Sequence, residues 1–401
     1  MAVIKRKRLV TEGAGIPAPS TTSKGGIKRR TSLPVTDLSK NDLPGELGDK
    51  IRAIEASKAY GNPFSIGSSK RLDTDRLRTG VMSLDLCLGG GFTTARAHML
   101  YGEKSSGKST SALHLIATLH RINPDSYAAW VDVEGTFDKP WARKIGVDLN
   151  RIIIVEPETG EHAVDLADEM LRTREIEVVV VDSIAMLVPM KELEESSEKD
   201  TMALQARLVG KYIRRTNNAL IKEKGRGHQA ILIHINQFRL KVGLVFGDPR
   251  TLPGGKALEF STTQQVETKN KEIIGKDDDG NDVVLYNEHG GKITKNKGGG
   301  PMKEAAYKLV RVNGYQGSKE VKWPADHPGM PEAWIDQAKT IYTMGSQVGV
   351  VTGSAQSFQI DGHSRKFGGA AQFTIWALEN PIEYQEVQAK IISGFRKKWD
   401  L

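Results

Sequence analysis

The sequence predicts an α/β fold organised around a mostly parallel central sheet. Three observations carry that prediction. Apolar, β-branched runs recur at 97–101, 128–133, 152–155, 178–181 and 230–235, the pattern of strands buried on both faces. Amphipathic helical patterns lie between most of them, at 109–121, 162–173 and 202–223, and helices inserted between strands imply parallel crossovers. A glycine-bearing loop follows the first run directly and opens the first of these helices.

Taken in order, the chain opens with about 45 residues rich in Pro, Ser, Thr, Gly and Lys and without hydrophobic period. Such a segment buries too little apolar surface to offset its ordering entropy and reads as a disordered basic arm, 1–45. Leu47, Ile51, Ile54, Ala56 and Ala59 then fall at helical spacing, which predicts a short amphipathic helix. A Gly/Pro/Ser stretch at 61–69 follows as a linker, so 46–78 forms a helix-and-linker segment. The α/β alternation occupies 79–323, and its polar stretch 269–300 reads as a hairpin with an exposed tip. A smaller unit, 324–401, carries helical patterns near 333–344 and 369–380 and a last helix after Pro381, a position where proline suits a first turn. No internal repeat is present.

Composition removes several classes of function. No stretch approaches the ~20 consecutive apolar residues of a membrane span, and the basic start Lys5-Arg6-Lys7-Arg8 leads into no apolar region, so it is not a secretory signal. The single cysteine, Cys87, excludes an intramolecular disulfide framework and a Cys-based zinc site and points to a reducing, cytoplasmic setting. The net charge of +8 suggests a polyanionic partner. Nine Lys/Arg and two acids lie within residues 1–40, however, so the arm holds +7 and the rest of the chain only +1. The body must therefore grip an anion through local arrangements.

The strongest such arrangement is Gly102-Glu103-Lys104-Ser105-Ser106-Gly107-Lys108-Ser109-Thr110, which fits G-x-x-x-x-G-K-[ST] between a strand and a helix. Its glycines let backbone N–H groups wrap the phosphates of ATP, and the helix N-terminus adds a favourable dipole. Lys108 is expected at the β/γ-phosphates and Ser109 on Mg²⁺. Val178-Val179-Val180-Val181 ends in Asp182, where a second metal-orienting carboxylate is expected. Glu134 lies just beyond the strand that contains Asp132. A carboxylate at a strand's carboxyl end points into the ligand crevice of an open α/β sheet; Asp132, two residues earlier, is the competing carboxylate.

These residues resemble the RecA-type recombinases of bacteria and their phages. The resemblance runs from about 47 to 392 and includes Thr79-Gly80-Val81-Met82-Ser83-Leu84-Asp85 and Glu156-Pro157-Glu158-Thr159-Gly160-Glu161. Its longest run starts at Ile235-Asn236-Gln237-Phe238-Arg239-Leu240-Lys241-Val242-Gly243-Leu244-Val245-Phe246-Gly247 and resumes at Pro253-Gly254-Gly255-Lys256-Ala257-Leu258. It implies a RecA-like ATPase core, a polymerisation helix at the start and a small α+β C-terminal domain. Glu134 then corresponds to the catalytic base, Asp138 and Trp141 to adenine contacts, and Gln237 to the γ-phosphate sensor. Lys295 and Lys297 match a basic pair that reaches the neighbouring subunit's ATP; without the resemblance a solvated Lys-rich loop beside three glycines is the favoured reading. The family departs from this chain at Glu259, where a basic residue is usual beside Phe260.

Two segments read as DNA-binding. Arg207, Lys211 and Arg214 share one face of the 202–223 helix, suited to backbone phosphates; the acidic stretch 191–200 leads into it. The loop 238–252 is apolar and Gly-containing and suits ordering against unstacked bases, with Met202 and Val242 as wedges. Its candidates are Arg239, Leu240, Lys241, Val242, Gly243, Phe246 and Gly247, with Gly254 and Gly255 beyond it. The implied protein is an ATP- and Mg²⁺-dependent recombinase that forms helical filaments on single-stranded DNA and exchanges strands with duplex, with single-strand-binding protein and mediators as further partners. A ring-forming helicase-type motor and a non-enzymatic accessory paralogue are the rival readings.

Overall fold

The computed structural model describes residues 43, 45–57, 64–65, 69, 72–191, 201–240, 250–276, 279–300, 302, 304–311 and 333–399. The arm 1–40, most of the 61–69 linker, the segments 192–200 and 241–249, and the 323/324 boundary lie outside them. Packing divides the chain into two units, 1–70 and 71–401. The first contains α1, Gly45–Ala56, with Leu47 60% and Ile54 37% exposed.

The second unit begins with β1 (Arg76–Leu77), α2 (Met82–Leu88) and β2 (Phe92–Thr93). The alternating core follows: β3 (Ala97–Gly102), α3 (Lys108–Ile122), β4 (Tyr127–Asp132), α4 (Lys139–Ile145), β5 (Ile152–Val155), α5 (Gly160–Arg172), β6 (Ile176–Asp182), α6 (Thr201–Gly225) and β7 (Ile231–Gln237). Short β8 (Arg239–Leu240) and β9 (Arg250–Thr251) precede α7 (Gly255–Ser261) and the long strands β10 (Gln264–Lys276) and β11 (Asp282–Asn296). After β12 (Glu304–Arg311) and β13 (Ala333–Asp336) come α8 (Ala338–Gln347), β14 (Val351–Ser354), β15 (Ser357–Ile360), β16 (Lys366–Phe367), α9 (Ala370–Glu379) and α10 (Pro381–Trp399).

The central sheet runs β13-β12-β11-β10-β3-β7-β6-β4-β5. From β10 to β5 every pairing is parallel; from β10 to β13 every pairing is antiparallel. The valine run shows why the parallel half reads as a continuous apolar text. Val178 and Val180 pack on one core with Leu115, Ile116 and Trp130, whereas Val179 and Val181 pack on the other with Ala163, Val164 and Tyr212. Successive side chains face opposite sides of a strand, and helices cover both sides, so every position must be apolar. The same alternation turns Asp182 toward α3.

A third core gathers Phe358, Phe367, Phe373 and Trp376 from the C-terminal β14–β16 sheet and α9 with Met82 and Leu86 of α2. Leu84 and Leu88 of α2 belong instead to the first core, so this short helix is the seat of the C-terminal layer. Gln337 locks it: its Oε1 accepts from Met82 N at 2.6 Å and its Nε2 donates to Gly80 O at 2.8 Å.

The structure corrects one helix. The pattern at 333–344 predicts helix throughout, but Ala333–Asp336 pair with β12, Arg311 opposite Ala333 and Lys308 opposite Asp336. An edge strand offers a row of unpaired backbone groups, and pairing there overrides a four-residue helical preference. The hairpin is also displaced toward the N-terminus relative to 269–300: pairing extends from Gln264 opposite Asn296 to Lys276 opposite Asp282. Among the described residues no helix is long and apolar enough to cross a membrane.

Candidate functional site

The phosphate loop bridges β3 and α3 at the carboxyl end of the sheet. Two left-handed residues make its turn, Ser105 at φ 60° and Gly107 at φ 90°. Lys108 is buried at 6% exposure, and its Nζ donates to Glu103 O at 2.8 Å and Gly102 O at 3.5 Å. Burial lowers the Lys108 pKa, and Asp182, Glu134 and Glu103 oppose that shift. Ser109 Oγ donates to Asp182 Oδ2 at 2.8 Å. Burial first, then the charges of Glu134 and Asp132, push Asp182 up to about 7, against the Ser109 hydrogen bond and Lys108.

This donor set fits a magnesium nucleotide. A hydroxyl and a carboxylate are hard oxygen ligands, and a carboxylate whose charge is disfavoured by its neighbours gains from a nearby cation. Among the described residues no group of three His, Cys, Asp or Glu could hold a metal by itself. A cation here would therefore rely on Ser109, Asp182, water and phosphate oxygens, the usual situation for Mg²⁺.

Glu134 stands just past β4, in a turn pinned by Val133 N and Glu134 N donating to Asp182 O at 2.8 and 3.3 Å. Its Oε1 accepts from Ser183 Oγ at 2.5 Å and from Gln237 Nε2 at 2.8 Å. Asp132 is committed elsewhere: buried, its Oδ2 accepts from Phe137 N at 2.8 Å and so holds the turn. Asp138 caps α4 by accepting from Trp141 N at 2.8 Å, and Trp141 Nε1 donates to Thr110 Oγ1 at 3.2 Å. That hydrogen bond brings the indole beside the start of α3.

Lys295 and Lys297 do not join this cluster. Lys295 pairs with Gln265, which pairs with Met99, three residues before the loop begins at Gly102. The Lys295 Nζ donates to the carbonyls of Glu259 at 2.6 Å and Phe260 at 3.2 Å, and the Phe260 ring is 67% exposed.

On α6, Arg207, Lys211 and Arg214 are exposed while Leu208, Val209 and Tyr212 are buried beneath them. The side chain of Met202 is outside the described residues, as are Lys241, Val242, Gly243, Phe246 and Gly247 and the side chain of Leu240. What is described is the root of that loop. Arg239 pairs with Thr251 and Leu240 with Arg250, Asn236 Nδ2 donates to Pro253 O at 2.9 Å, and Arg239 donates to Ala185 O at 2.6 Å. Gly254 at φ 86° caps α7, and Gly255 follows at φ 59°. At the other end of the core, Arg76, Arg78, Arg396 and Lys397 line a groove of about 750 Å³ between β1 and α10. Burial and then the Arg396 charge lower the Arg76 pKa.

Sequence reasoning missed Ser183, Thr268, Asn270 and His289, all of which approach the loop or Glu134 from strands distant in sequence. Only the phosphate loop and its two carboxylates carry a local signal.

The RecA N-terminal domain profile matches residues 46–316. The chain belongs to the RecA family. Protein RecA of Halalkalibacterium halodurans is 32% identical over 354 residues, covering 88% of this chain and 92% of that protein. Protein RecA of Petrotoga mobilis is 37% identical over 280 residues, 68% of this chain and 71% of its own. Protein RecA of Brevibacillus brevis is 31% identical over 356 residues, 88% and 92%. The RecA-like core, the N-terminal helix and the small C-terminal antiparallel sheet agree with that membership. A RecA-family protein is an ATP-binding, DNA-dependent ATPase of recombination and repair that binds DNA and forms filaments.

Proposed function

We propose that this chain assembles with ATP and Mg²⁺ as an open helical filament on single-stranded DNA, pairs that strand with homologous duplex and exchanges strands. Lys108 offsets charge on the β/γ-phosphates, Ser109 and Asp182 orient the cation, and Asp138 and Trp141 flank the base. Glu134 accepts a proton from the attacking water. Mg²⁺, when bound, supplies charge neutralisation on the triphosphate. Lys295 and Lys297 serve the neighbouring subunit's nucleotide, so that turnover requires docking. In this reading α1 packs on the adjacent protomer, a head-to-tail interface that gives a filament when it does not close.

The observation that carries the reading is the hydrogen bond from Gln237 to Glu134 at the root of the 238–252 loop. A side chain that sits between the water-positioning carboxylate and a DNA-facing loop can report the γ-phosphate to that loop, an order–disorder switch of known type. Single-stranded DNA then meets the loop and the Arg207–Lys211–Arg214 face, and duplex is drawn to the C-terminal cations, Arg365, Lys366, Arg396, Lys397 and Lys398. The +7 arm acts as an ungated electrostatic tether. Assembly takes place in the cytoplasm, where single-strand-binding protein and mediators act on it.

Electron microscopy with ATP and single-stranded DNA tests this. Open helical filaments that carry out strand exchange are expected, and Lys108→Ala abolishes both. Closed rings would favour the helicase-type motor, and DNA binding without ATP turnover the accessory paralogue.

A further inference from the structure

A phosphate loop binds by turning consecutive N–H groups inward, which leaves its carbonyls and side chains facing outward and in need of partners. In this chain the partners come from the β10–β11 hairpin. Asn270 Nδ2 donates to Ser105 O at 3.3 Å. The Thr268 and Ser106 hydroxyls share a hydrogen bond of 2.7 Å, and Thr268 Oγ1 lies 3.3 Å from Tyr101 O. Thr268 and Ser106 are both buried at 4% exposure. The braced residues are consecutive, Ser105 and Ser106, and Ser105 holds one of the two left-handed conformations in the turn.

The glycines of the loop record the same closeness. A Cβ on Gly102 would stand 2.5 Å from Thr268 O and 2.9 Å from Thr268 Oγ1. Gly102 is absent from the positive-φ positions, so its need for glycine is the approach of Thr268, not the turn. A Cβ on Gly107 would stand 2.5 Å from the His289 Nδ1, and His289 lies opposite Asn270 across the hairpin. One face of a two-stranded ribbon thus presses on the outer side of the loop at three successive points.

We infer that Thr268 and Asn270 are positioning residues for nucleotide binding, holding the Ser105–Ser106 turn in its phosphate-ready shape while His289 fills the space behind Gly107. Their hydrogen bonds go to the loop itself, Thr268 to Ser106 and Asn270 to Ser105. Without them the loop samples conformations in which its amides do not converge, and part of the binding free energy is spent on reordering it. The hairpin also runs on past the sheet: pairing of β10 with β3 ends at Thr268 opposite Gly102, pairing of β11 with β12 ends at Asn287 opposite Leu309, and pairing of β10 with β11 continues to Lys276 opposite Asp282. Among the described residues the brace therefore lies close to the base of a ribbon that, beyond Glu272 and Asn287, pairs with no third strand.

The inference rests on 102–110 being the ATP site, and the test separates the two. Thr268→Val removes one hydroxyl at equal volume, Thr268→Ser restores it, and Asn270→Ala removes the second hydrogen bond at a half-exposed position. In DNA-stimulated ATP turnover by the full chain, Thr268→Val and Asn270→Ala are each expected to raise KM for ATP roughly five- to tenfold, the effect of about one net hydrogen bond, with kcat within about twofold. Thr268→Ser should return KM to within about twofold of the parent. In a Ser106→Ala background, Thr268→Val should raise KM no further. Unchanged KM in both Thr268→Val and Asn270→Ala, a rise not rescued by serine, or full additivity with Ser106→Ala would overturn the brace. Nucleotide binding that survives Lys108→Ala would instead overturn the site assignment beneath it.

Discussion

Gln237 Nε2 donates to Glu134 Oε1 across 2.8 Å, although the two residues are 103 positions apart. They stand at the carboxyl ends of β7 and β4, and β6 lies between those strands. Two inter-strand spacings amount to about 9.6 Å, a gap that two long side chains can close only by meeting over the end of β6. Ser183, immediately after β6, completes the meeting by donating to the same Glu134 oxygen. The carboxylate read as the base and the amide read as the sensor therefore share one oxygen atom's environment.

That sharing sets the first expectation. Glu134→Gln should lower kcat about 10²- to 10⁴-fold, the usual worth of a positioned acid–base group, with nucleotide binding within a few-fold and filaments that persist. Gln237→Ala should keep the basal turnover within a few-fold but lose most of its stimulation by DNA. Steady-state turnover with and without single-stranded DNA distinguishes them. Equal losses in both conditions for Gln237→Ala would show that it acts in chemistry and not in coupling.

Lys295 points along its own chain to the carbonyls of Glu259 and Phe260 and away from its own phosphate loop. Burial and Lys297 lower its pKa. If Lys295 and Lys297 act across the subunit boundary, Lys295→Ala and Lys297→Ala should each cost about tenfold or more in DNA-stimulated turnover. Mixing Lys295→Ala subunits with Glu134→Gln subunits should restore part of the activity, because some interfaces then pair an intact base with an intact lysine. No recovery at any mixing ratio would place both groups on one side of the interface.

The basic stripe of α6 yields a salt experiment. Removing one cation that neutralises a phosphate of single-stranded DNA should reduce the slope of log K against log[salt] by about 0.7. Replacing Arg207, Lys211 and Arg214 one at a time by Gln should each produce that reduction in the presence of ATP. Deleting residues 1–40 should reduce the slope with and without ATP. A slope unchanged by all three substitutions would identify the stripe as a solvated face.

Asp85 provides a pH signature away from the nucleotide. Its Oδ1 accepts from Thr79 N and Thr79 Oγ1, each at 2.7 Å. Burial, opposed by those hydrogen bonds and Arg78, raises its pKa from 3.8 to about 6. The native state then holds a proton that the unfolded chain has released, so this group's contribution to stability is fully present below pH 3.8 and is lost as pH rises through about 6. Asp85→Asn keeps an acceptor oxygen without the charge. The Tm of the variant minus that of the parent should therefore increase between about pH 4 and 6 and level off above. A difference that stays constant over that window would contradict the buried protonated carboxyl.

Local patterns in the sequence determined what depends on neighbours along the chain. Glycines and a lysine at fixed spacing must form the 102–110 loop, because a backbone that wraps phosphate needs those residues wherever the strand and helix meet. The valine run ending in Asp182 and the helices on either side of it were legible for the same reason: burial on two faces leaves no polar position. Tertiary structure decided what depends on pairing. Ala333–Asp336 became a strand because β12 had an open edge, and Asp132 went to the Phe137 turn and left Glu134 for Gln237. The hydrogen bond of Thr268 with Ser106, 162 residues away, has no trace in local periodicity. A hydrogen bond between distant strands exists only once register is set, and register follows from filling a core and satisfying an edge, which no single segment encodes.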